Sequence, residues 1–105
     1  MAQIQELKTE VKGIVEQISA QKSIRNTLKA EKVDLTSKIK EAKQKIKDTK
    51  KSGGDVSTLK EELNSLKEQK KGKVAEISKV KAGIIELRKK KVEIRGKIKA
   101  IKTKD

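Results

Sequence analysis

The sequence predicts an all-α fold: a long antiparallel two-helix coiled-coil hairpin. Three observations support this. Apolar residues recur in heptads along both halves of the chain. Proline is absent, and the only paired glycines lie near the middle, in Ser52-Gly53-Gly54-Asp55. Charged residues make up 42% of the chain and aromatic residues 0%, a balance that suits long helices and leaves nothing bulky to fill a globular core.

The first helix is expected over about residues 3–51. Its a positions are Ile4, Val11, Ile18, Arg25, Lys32, Ile39 and Ile46. Its d positions are Leu7, Ile14, Gln21, Leu28, Leu35, Ala42 and Thr49. Ten of these fourteen are apolar, enough for one continuous seam. At about 1.5 Å per residue the helix would be about 70 Å long.

The turn is expected over about residues 52–55. The heptad frame slips by three residues there, as it does where two separate helices are joined. Lys50 and Lys51 complement the carbonyl end of the first helix. Gly53 or Gly54 supplies the left-handed residue that ends it, and Asp55 is suited to cap the next.

The second helix is expected over about residues 56–103. Its a positions are Val56, Leu63, Lys70, Ile77, Ile84, Lys91 and Ile98. Its d positions are Leu59, Leu66, Lys73, Val80, Leu87, Ile94 and Ile101, so eleven of fourteen are apolar. If residue i faces residue 105 − i, every a meets a d: Ile46 meets Leu59, Leu28 meets Ile77, and Ile18 meets Leu87. The competing arrangement pairs the same helices between two molecules; the short turn and matched lengths favour the single-chain hairpin. Lys32 would face Lys73 in this register, and Gln21, Arg25, Lys70 and Lys91 also occupy the seam. Long lysines can snorkel out of so thin a seam. A weak central section near Gly72, bent or held by a bound anion, is the sharper alternative.

Composition also limits the chemistry. Without histidine or cysteine the chain lacks the usual proton shuttle, thiol nucleophile and zinc ligands. A narrow helix pair offers no cleft in which to perturb a carboxylate. No enzyme activity, cofactor, metal or small-molecule substrate is expected. No run of aliphatic residues exceeds two, so neither a signal peptide nor a membrane span is read, and membrane insertion is not expected.

The formal net charge is +14. In an antiparallel pair the e positions of both helices line one flank of the seam. Here that flank carries Lys8, Lys22, Lys29, Lys43 and Lys50, then Lys60, Lys67, Lys81, Arg88, Arg95 and Lys102. The neighbouring b positions add Lys12, Lys40, Lys47, Lys71 and Lys99. No acidic residue lies at e or b in either helix. The frame was set by the apolar residues alone, so this asymmetry is an independent observation. Acids sit at c, f and g, where pairs such as Glu86 with Lys90 are expected.

Like charges flanking a seam oppose pairing. An uncompensated track of this kind points to RNA or another polyanion, the ribosome included, contacted through its phosphates. Without aromatics the chain cannot stack bases, and it carries no base-reading motif, so backbone contact without sequence preference is expected. The opposing reading is a structural spacer or oligomerisation rod whose charge only keeps it in solution. Ile24, Val33, Val74, Ile85 and Val92 are apolar positions off the seam. They read either as scattered surface residues or as a face joining two hairpins side by side. The run "RKKK" at Arg88 to Lys91 has the composition of a nuclear import signal and equally of a solvated face.

Residues 59–73, "LKEELNSLKEQKKGK", follow a helix ending in "SKIKEAKQKIKDTKKSGG". This order resembles the N-terminal coiled-coil region of the fungal brefeldin A resistance, or nuclear segregation, protein family. The matching residues are Leu59, Glu62, Leu63, Leu66, Gln69, Gly72 and Lys73, within a resemblance that covers about residues 35–100. "VAEISK" stands where that family has a Ser-Arg pair. The resemblance implies association with messenger RNA and polyribosomes in the cytoplasm and supplies no catalytic residues. The expected shape is also similar to the tRNA-gripping helical arm of seryl-tRNA synthetases, in architecture alone.

Overall fold

The computed structural model describes residues 2–104. Helix α1 spans Ala2–Lys51 and helix α2 spans Ser57–Lys104, and they pack as an antiparallel hairpin. The helix ends fall within a residue of those expected, with Val56 left in the connection. Neither helix breaks at its internal glycines, Gly72 included.

The heptad frame is the burial pattern. All fourteen a and d residues of α1, the thirteen of α2, and Val56 in the connection are buried or half-buried. Among the other described residues only Gly13, Lys22, Glu31 and Gly83 are less than exposed. The apolar spacing of 3.5 residues turns one stripe of each helix toward its partner and leaves the rest in water.

The turn is built by local chemistry. Gly53 has φ +77°, in the left-handed region where a side chain is strained. Its N–H donates to Lys50 O at 3.1 Å, and the N–H of Gly54 donates to Thr49 O at 2.9 Å. Those two bonds form a Schellman motif and satisfy two carbonyls that α1 would otherwise leave unpaired. Gly54 is constrained differently: a Cβ there would meet the Thr49 methyl at 2.8 Å. Asp55 then starts α2, its carboxylate accepting from the Ser57 N–H at 3.0 Å and the Ser57 hydroxyl at 2.8 Å. These two bonds hold the Asp55 carboxyl below its ordinary range.

The chain divides into two compact units, Met1–Arg25 with Lys79–Asp105, and Asn26–Ser78. The boundary lies inside both continuous helices, where polar Gln21, Arg25, Lys32 and Lys73 interrupt the aliphatic series. In the first unit Ile14, Ile18 and Ile84 form a buried cluster, with Val80, Leu87 and Ile94 packed against it. Ile84 is the most enclosed core residue among those described, at 2% exposure. In the second unit Leu28, Leu35, Ile39, Ala42, Ile46 and Ile77 are buried. An ion pair from Lys73 Nζ to Glu31 crosses between the helix segments of this unit at 2.5 Å. It joins residues whose numbers sum to within one of the expected 105.

Two substitutions test this account. Ile84→Ala should cost about 2–3 kcal/mol in a seam that relaxes easily. Gly53→Ala should cost about 1–2 kcal/mol, because the added Cβ opposes the left-handed backbone. Thermal unfolding followed by far-UV circular dichroism measures both. A Gly53→Ala protein as stable as the parent would refute the turn assignment.

Candidate functional site

The sixteen cations read at e and b fall into the two units equally. Lys8, Lys12, Lys22, Lys81, Arg88, Arg95, Lys99 and Lys102 belong to the first. Lys29, Lys40, Lys43, Lys47, Lys50, Lys60, Lys67 and Lys71 belong to the second. Fifteen are exposed, as heptad geometry requires of residues outside the seam, and Lys22 is half-buried.

In the second unit the two helices bring part of this set together. Lys43 of α1 and Lys67, Lys70 and Lys71 of α2 line one hollow of about 430 Å³ floored by Ile39 and Val74. Lys70 was expected in the seam; its half-buried stem leads into this hollow. In the first unit Lys81 and Arg88 of α2 meet Arg25 of α1 across a smaller hollow of about 180 Å³. A third hollow lies on α2 alone, between Ile85, Val92, Arg88, Lys89 and Glu93. Lys40 sits beside Glu41, Ser37 and Gln44 on the outer surface of α1. Lys8, Lys12, Lys29, Lys47, Lys50, Lys60, Arg95, Lys99 and Lys102 are exposed on the helix surfaces and line none of these four hollows.

Ion pairing separates the flank from the rest of the surface. Among the described residues the salt bridges are Lys38–Asp34 at 3.2 Å, Lys73–Glu31, and Lys89–Glu86 at 3.7 Å. Their cations stand at g, d and f. None of the sixteen e and b cations makes an ion pair among the described residues. Glu86 pairs with Lys89, one turn along the helix, rather than with Lys90 as the spacing had indicated.

The flank is not purely ionic. Val15 and Val74 at e, and Val33, Ile85 and Val92 at b, are five of the six large exposed aliphatics; Ile24 at g is the other. Methyl groups therefore lie among the uncompensated cations.

The seam ions find different solutions. Lys73 leans from its d position to Glu31 on the g side, and this bond, with the negative charges of Glu31 and Glu76, raises its pKa above the usual 10.5. Arg25, at an a position, has its Nε shut off from solvent without a hydrogen-bond partner among the described residues. Sequence reasoning placed Arg25 only as a flaw in the seam; its e-flank neighbours Lys81 and Arg88 were the available signal.

Among the described residues no three carboxylates, histidines or cysteines group to hold a metal ion, and no helix is long and apolar enough to cross a membrane. No family model, curated protein or solved structure matches the chain.

The Lys73–Glu31 pair has a defined pH signature. A raised lysine pKa contributes stability that is complete below 10.5 and is lost as pH rises through the folded value. Glu31→Gln should therefore lower the melting temperature by a constant amount from neutral pH up to about pH 10.5. Above that the two melting curves should converge. A gap that persists unchanged at higher pH would rule out the pair as its source.

Proposed function

We propose that this chain is a non-catalytic basic coiled-coil module that binds RNA, free or within ribonucleoprotein, through phosphate contacts along its e and b flank. The supporting observation is the segregation of charge: among the described residues the sixteen cations at e and b have no carboxylate partner, while the ion pairs fall at other heptad positions. Holding so many like charges beside a seam opposes helix pairing unless an outside polyanion neutralises them. Phosphates do so while releasing condensed counterions, which makes binding strong at low salt. The flank has no aromatic platform, so binding is indifferent to sequence. The family resemblance of residues 35–100 extends the proposal to messenger RNA and polyribosomes, in the cytoplasm or nucleus.

A second reading is a spacer or oligomerisation coiled coil without a nucleic-acid ligand. Exposed Ile85 and Val92, one heptad apart on α2, favour it as a face for a second hairpin.

Charge reversal discriminates between them. Changing Lys22, Lys29, Lys81 and Arg88 together to Glu should abolish retention of RNA on a filter while leaving helicity intact. If roughly six to ten phosphates are engaged, affinity of the parent should fall about 10³- to 10⁵-fold between about 50 and 200 mM salt. Retention unaffected by the reversal, or a flat salt response, would leave the spacer reading.

A further inference from the structure

We propose that Arg25, Lys81 and Arg88 form a discrete seat for one tetrahedral oxyanion, a phosphate group, in the first unit. This deepens the RNA reading and rests on it for the identity of the phosphate's carrier, though not for the seat itself.

The argument begins with a cation in the wrong place. An a position faces the partner helix, where an aliphatic residue packs best. Arg25 stands there, half-buried, with its Nε excluded from solvent and donating to no protein acceptor among the described residues. A buried donor without an acceptor is destabilising, and a charged one more so. The contrast with Lys73 is informative. That seam cation has Glu31 beside it, so the chain supplies its own counter-charge. Around Arg25 the lining is Lys81, Ile84, Ile85 and Arg88, with no carboxylate.

The geometry suits an anion. Three cations from two helices converge on a hollow of about 180 Å³, several times the volume of a water molecule. Ile84, the most enclosed of the described core residues, forms part of its wall. The guanidinium is planar, weakly hydrated and always charged, and its fork matches two oxygens of a phosphate. Lys81 and Arg88 reach the remaining oxygens from e positions one heptad apart. The apolar wall thins the water around them and strengthens each charge-assisted bond. An oxyanion seated here supplies the counter-charge that no carboxylate in the lining provides and relieves the repulsion among the three cations.

The test uses the full chain, Arg25→Leu and Arg25→Lys, with inorganic phosphate against chloride at matched ionic strength. The parent should melt at higher temperature in phosphate, and its Arg25 Nε–H resonance should shift saturably as phosphate is added. Arg25→Leu should fold, melt above the parent in chloride because the seam is then apolar, and lose the phosphate-specific increment. Arg25→Lys should keep the charge and retain only part of it. An equal phosphate increment in Arg25→Leu, or an Arg25 resonance that does not move, overturns the seat. RNA titration then identifies the source. About tenfold weaker RNA binding by Arg25→Leu assigns the seat to a backbone phosphate. Unchanged RNA affinity, with the increment confirmed in the parent, assigns it to free phosphate. Failure of the four-site reversal to affect RNA would refute the RNA reading and leave the phosphate result to decide the seat.

Discussion

Everything in this molecule depends on a seam one side chain wide. Two helices cannot enclose a core as three or four can, so even well-placed seam residues keep an edge to water. The a and d residues are all shielded, yet among the described residues only nine hydrophobic side chains are buried, and none of them completely. Stability therefore comes from many partly buried contacts in series, with Ile84 and its neighbours Ile14 and Ile18 the best enclosed in the first unit. The same thinness explains how polar residues survive there. An ammonium at a seam position is never more than its own stem away from solvent or from a flank.

A seam of this kind has two edges, and they have been treated differently. The g side mixes acids with lysines, and Glu31 reaches in from it to neutralise Lys73. The e side has no acid, and its cations repel one another across the helix pair. Salt screens that repulsion, since the charges are exposed, so it weakens the pair without preventing it. The cost is a choice in the sequence rather than a requirement of the fold, because glutamates at a few e positions would remove it. Aliphatic residues concentrate on the same side, which gives the cations a partly apolar setting and makes each one more responsive to an anion.

Arg25 connects the two features. It is a member of the seam by heptad position and a member of the basic flank by the company it keeps. An aliphatic residue there would improve the seam, and a neighbouring glutamate would satisfy it as Glu31 satisfies Lys73. The chain has neither, so the demand for a counter-charge points outward.

Heptad spacing, the frame slip and the paired glycines determined the two helices, their lengths, the shielded faces and the flank on which the lysines collect. These follow from local backbone geometry, because the angular position of a residue on a helix depends only on its number. The sequence also contained the ingredients of the turn, but only the fold distinguished the left-handed role of Gly53 from the close approach of Gly54 to Thr49. The tertiary structure alone decided that Lys73 leans to Glu31, that Lys22 is partly covered, that the packing divides into two units, and that Arg25 meets Lys81 and Arg88 around a hollow. Long side chains choose their direction from what stands across the seam, and that neighbour is set by packing rather than by position along the chain.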